Sequence, residues 1–66
     1  MVRDITVSVL IVEDDEVVRT SLADLIAFLG YRTRSVADGF SALIDIRQEV
    51  PDILIFGPQH ARHVRL

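Results

Sequence analysis

The sequence predicts a small α/β domain in which strands and helices alternate as βαβαβ. Three observations carry this expectation. An apolar, β-branched run from Ile5 to Val12 reads as a strand covered on both faces. Apolar residues then recur at helical spacing from Val18 to Leu29 and stop at Gly30. A second apolar run, Ile53 to Phe56, follows Pro51 after a further helical stretch. Such alternation implies a parallel sheet with right-handed crossovers.

Each element has its own signals. The first run begins as an alternation and becomes continuously apolar, the pattern of a central strand. Asp14 or Asp15 is placed to cap the helix that follows, and the acids of its first turn suit the positive end of the helix dipole. Val18, Leu22, Leu25, Ile26 and Leu29 form its apolar stripe, and Gly30 sits where a left-handed residue closes a helix. Arg32 to Val36 alternates weakly, as an edge strand does. Asp38-Gly39 marks a turn and a cap. Phe40, Leu43, Ile44 and Arg47 share one face of a second, shorter helix, which Pro51 prevents from running through Val50. Ile53 to Phe56 has the apolar character of a short buried strand. Regularity ends there: residues 57–66 begin with turn chemistry and continue as a basic tail, so the domain is assigned to residues 1–56.

Length and composition bound what such a chain does. With 66 residues there is room for one small domain, and a monomer is of marginal stability. No cysteine is present, so neither a disulfide nor a thiolate zinc site braces it. Half of the residues are hydrophobic, and the mean hydropathy is +0.37. A small sphere is mostly surface, so that much apolar side chain is hard to hide in one copy, and self-association is expected. A net charge of −3 argues against a general nucleic-acid binder, which needs a basic face. The apolar run is far shorter than the ~20 residues of a membrane span. It is followed by four acids where a secretory signal would carry small residues. The chain is therefore read as cytoplasmic, with no membrane partner.

In a parallel sheet, ligands collect beyond the carboxyl ends of the strands. Glu13, Asp14 and Asp15 reach that rim after the first strand, Asp38 after the second and Gly57 after the third. Clustered carboxylates on such a rim suit a hard cation such as magnesium, which takes oxygen ligands. The alternative is that these acids only cap the helix. His60 and His63 have metal-ligand spacing but no well-placed third ligand, which favours a solvated tail over a zinc site.

Four motifs in order bring a family into view: Ile11-Val12-Glu13-Asp14-Asp15, Leu29-Gly30-Tyr31, Ala37-Asp38-Gly39 with Ala42-Leu43, and Pro51-Asp52-Ile53-Leu54-Ile55. From residue 7 to about 56 the chain resembles the receiver domain of bacterial two-component response regulators. The resemblance implies the first half of a flavodoxin-like receiver fold, with parallel strand order 2-1-3. It also implies that Glu13 and Asp14, with Asp15 beside them, correspond to the acids that help hold magnesium. The family's phosphoacceptor aspartate falls on Gly57, which has no side chain to take a phosphoryl group. The family's lysine has no counterpart, since the chain contains no lysine. Asp52 lies five residues upstream, roughly 16 Å away along a strand, and cannot substitute. Asp38 reads as a helix cap.

The resemblance thus leads to a truncated, degenerate receiver that is not an enzyme, takes no phosphate and needs no cofactor beyond weakly held magnesium. It would act by protein–protein association in a phosphorelay, as a homodimer or with a histidine kinase or an intact response regulator. In the implied order Ile53, Leu54, Ile55 and Phe56 form a bare apolar edge, the expected dimer interface, with the fold completed by strand pairing or domain swapping. Two other readings stand beside this one. In one, a dimer rebuilds a magnesium-dependent phosphoreceiver from Glu13, Asp14 and Asp15. In the other, the chain is a gene remnant that still folds, its tail the product of a truncation or frameshift.

Overall fold

The computed structural model describes residues 6–58, and it is α/β. β1 (Ser8–Val12), α1 (Glu16–Phe28), β2 (Arg32–Val36), α2 (Gly39–Gln48) and β3 (Ile53–Phe56) follow in the predicted alternation. The strands form one parallel sheet in the order β2-β1-β3. β1 pairs with β2 from Ser8 opposite Arg32 to Val12 opposite Val36, and with β3 from Val9 opposite Ile53 to Val12 opposite Phe56. Both strand pairs therefore end level at the carboxyl rim. No helix among the described residues is long and apolar enough to cross a membrane. His60, His63 and the rest of the tail after Pro58 lie outside the described residues, as does Ile5 at the start of the first apolar run.

The central position of β1 follows from its composition. Val9, Leu10, Ile11 and Val12 are all buried, because alternate residues face opposite sides of the sheet and both sides carry a helix. Leu10 and Val12 meet Ala42 of α2, with Val36 and Ile46 packed against them. α1 lies against β1 and β2, where Val18, Leu22 and Ile26 are half-buried.

Helix ends are set by the predicted residues. Asp15 caps α1, its Oδ1 accepting the Val18 N–H at 3.0 Å. Asp38 caps α2 in the same way, accepting the Ser41 N–H at 2.7 Å. α1 closes on Gly30 at φ 103°, the left-handed conformation that a side chain resists. The Gly30 N–H donates to Ala27 O and the Tyr31 N–H to Ile26 O, a double closure that satisfies two terminal carbonyls.

Three expectations are corrected. α2 does not pack through Phe40, Leu43 and Ile44, which are exposed; it packs through Ala42 and Ile46. The helix carries two overlapping stripes, and Arg34 of β2 selects between them. Its guanidinium donates to Asp45 Oδ1 from Nε and Nη2 at 3.0 and 2.7 Å and to Glu49 O at 2.7 Å. That pairing turns the Asp45 side of α2 toward the sheet, and small Ala42 permits close approach. Leu25 and Leu29 of α1 are likewise exposed, so only the Val18-Leu22-Ile26 part of the predicted stripe is half-buried. β3 is not a buried strand, because neither helix packs appreciably against it and β1 is its one partner among the described strands.

Because β1 supplies nearly all of the buried core, Leu10→Ala is expected to cost about 2–5 kcal/mol. That is comparable with the ~3–5 kcal/mol a core of this size supplies. Urea titration followed by circular dichroism should show most of the variant unfolded without denaturant.

Candidate functional site

The site lies at the carboxyl rim, where β1 and β3 end side by side. Glu13 follows β1 directly, and its N–H donates to Val36 O at 3.0 Å, which prolongs the β1–β2 ladder by one residue. Its carbonyl accepts from Arg19 Nη1 at 2.9 Å. With the backbone fixed on both sides, the side chain is held at the rim and is 0% exposed. Carboxylate oxygen Oε2 accepts the Asp15 N–H at 2.8 Å. The other oxygen, Oε1, lies over Gly57.

Gly57 is what makes this placement possible. A Cβ at residue 57 would sit 2.9 Å from both Cβ and Cδ of Glu13 and would overlap Oε1. Gly57 is itself buried, and its N–H donates to Val12 O at 2.9 Å, so its backbone is tied to β1. The volume that a side chain at 57 would occupy is filled by the Glu13 carboxylate. Glu13 thus closes the gap between the two strand ends from the β1 side.

The other acids at the rim take separate roles. Asp14 is exposed, while Asp15 is occupied as the α1 cap. Asp38 is exposed at the end of β2 and caps α2. Among the described residues no three His, Asp or Glu side chains are grouped as the ligands of a metal ion. Glu13 is turned inward onto Gly57 while Asp15 is engaged with α1, and as placed the three acids make no ligand set. Asp52 lies at the opposite end of the sheet, where its Oδ2 accepts the Ser8 N–H at 2.8 Å.

Sequence reasoning placed Glu13 at the rim but not inside it. The signal available was Gly57 itself, since a glycine at a crowded strand end leaves room that a neighbouring side chain can enter. Comparison of the chain with models of protein families, with curated proteins and with solved structures gives no match.

Two outcomes follow from this geometry. Gly57→Ala should destabilise the fold by about 1–3 kcal/mol, the range for overpacking. In a Glu13→Ala background that penalty should fall to less than half, and a double-mutant cycle in urea measures the coupling. Asp14→Ala should change stability by no more than ~0.5 kcal/mol, as for an exposed surface position. Asp15→Ala should cost ~1 kcal/mol through loss of the cap.

Proposed function

We propose that this chain is a receiver-like module that takes no phosphoryl group and acts through protein–protein association in a two-component, phosphorelay setting. The observation that carries this reading is the filled rim. Gly57 stands at the position the receiver resemblance gives to the phosphoacceptor, and a buried glutamate from the neighbouring strand occupies the space a side chain there would need. An in-line attack on a phosphodonor requires an exposed nucleophile at that point, with cationic groups around the transferring phosphoryl group. The rim offers a glycine, an inward-turned carboxylate and no lysine.

Association is supported by what remains uncovered. Phe40 and Leu43 of α2, Leu25 and Phe28 of α1, and Leu54 and Phe56 of β3 are all exposed large apolar side chains. A domain this small that displays so much apolar surface is suited to binding another protein surface. The phosphorelay setting rests on the motif resemblance from residue 7 to about 56.

Incubation with acetyl phosphate and magnesium, followed by intact mass measurement at neutral pH, is the direct test. The mass should be unchanged. A hydroxylamine-sensitive phosphoryl adduct would overturn the proposal and restore a phosphoreceiver.

A further inference from the structure

We infer that the exposed stripe of α2 binds the same stripe of a second copy, with the two helices antiparallel about a twofold axis between Leu43 and Ile44. This deepens the association reading above and rests on it for the claim that association is the chain's activity.

Phe40, Leu43, Ile44 and Arg47 stand at i, i+3, i+4 and i+7, one face of a helix. Phe40, Leu43 and Ile44 are 74%, 63% and 47% exposed, and Arg47 is exposed beside them. At about 3.6 residues per turn, their centre lies about 130° round the helix from the line of Ala42 and Ile46. Those two residues pack on the sheet. The Arg34 contacts to Asp45 and Glu49 fix this orientation, so the stripe is held outward.

The stripe is complementary to itself, and its charge sets the direction. Two copies set antiparallel about the point midway between Leu43 and Ile44 bring Leu43 against the partner's Ile44 and Phe40 against the partner's Arg47. Arg47 is the one charge on this face, and among the described residues no ion pair engages it. Positions 43, 44, 50 and 51 hold no acid, so none lies three or four residues away to pair with it. A guanidinium is attracted to the negative face of a phenyl ring. Ring and cation stand two turns apart on each helix, so they meet twice across the axis. Parallel helices would instead oppose Arg47 to the partner's Arg47 and align the two helix dipoles. The antiparallel contact is isologous and closes as a dimer.

α1 offers no equivalent surface. Asp24 stands exposed between Val17 and Phe28 on its outer face, and no cation shares that face. Two copies of it would drive unpaired carboxylates into an apolar contact. The α2 contact covers two helical turns in each copy, about 10 Å of helix. That is the small, transient end of the range of protein interfaces, so the dimer should form and part with concentration.

Sedimentation over a concentration series tests the association, and cysteine cross-linking tests its direction. The 7.4 kDa chain should pass from monomer toward dimer as its concentration rises to ~500 μM. The sequence has no cysteine, so any disulfide in a single-cysteine variant joins two copies. Phe40→Cys and Arg47→Cys chains should cross-link under mild oxidation when mixed, because residue 40 faces the partner's residue 47. The mixed dimer keeps one native contact between Phe40 and Arg47. Alone, each variant sets its two thiols about 10 Å apart along the helices, beyond disulfide reach. Arg47→Glu should weaken the dimer at least ~10-fold, since it turns a carboxylate onto the negative face of the ring. Val17→Lys on α1, a position 75% exposed, should leave the dimer unchanged. Circular dichroism of every variant should match that of the wild type, because all of these positions are exposed. A wild-type chain still monomeric at ~500 μM would overturn the α2 pairing and leave the stripe to another occupant. A mixture that cross-links no faster than either variant alone, or a dimer indifferent to Arg47→Glu, would overturn it as well. The acetyl phosphate test reads covalent mass and these experiments read association, so the phosphate-free reading and this interface fail separately.

Discussion

Everything in this small fold depends on β1 lying between two strands and two helices. Its four apolar residues from Val9 to Val12 are the only large apolar side chains among the described residues that are fully buried. Its backbone is bonded on both edges, to β2 and to β3. A chain of this length cannot afford two cores, and the hydrophobic free energy is concentrated in the one strand that both faces can cover. The helices contribute half-buried residues and precise ends, with Asp15, Asp38 and Gly30 closing backbone groups that would otherwise be unpaired.

The same strand organises the rim. Glu13 is the first residue after β1, and the ladder that holds Val12 also fixes where the glutamate begins. From that point its side chain has one accommodating neighbour, the bare backbone of Gly57. The two residues explain each other: a side chain at 57 would expel the carboxylate, and the carboxylate removes the space in which a reactive group at 57 would work. Buried carboxylates are stable only when hydrogen-bonded, and the Asp15 N–H supplies such a bond at the start of α1. A rim that would serve chemistry in an open arrangement is here part of the packing.

The two edges of the sheet differ in charge. β2 carries arginines whose partners lie on α2, so that edge is tied into the domain and made unattractive to another strand. β3 carries no charge, and among the described residues neither helix packs appreciably against it.

Much of this was legible from the residues alone. The order of elements, the central position of the Ser8–Val12 part of the first apolar run, the caps and the glycine that ends α1 follow from local chemistry: side-chain branching, Asp at a helix start, Gly at a left-handed turn. Local rules act within a few residues, which is why they can be read along a chain. The buried face of α2 was not legible, because both of its stripes satisfy helical periodicity. The choice was made by Arg34, eleven residues before Asp45 in sequence and on a different element. The inward turn of Glu13 was hidden for the same reason: its cause is Gly57, brought beside it only when β3 pairs with β1. The sequence by itself determined which segments become strands and helices, and where they stop. Tertiary structure decided which faces are covered and which carboxylate is buried, because those outcomes depend on contacts between residues far apart in the chain.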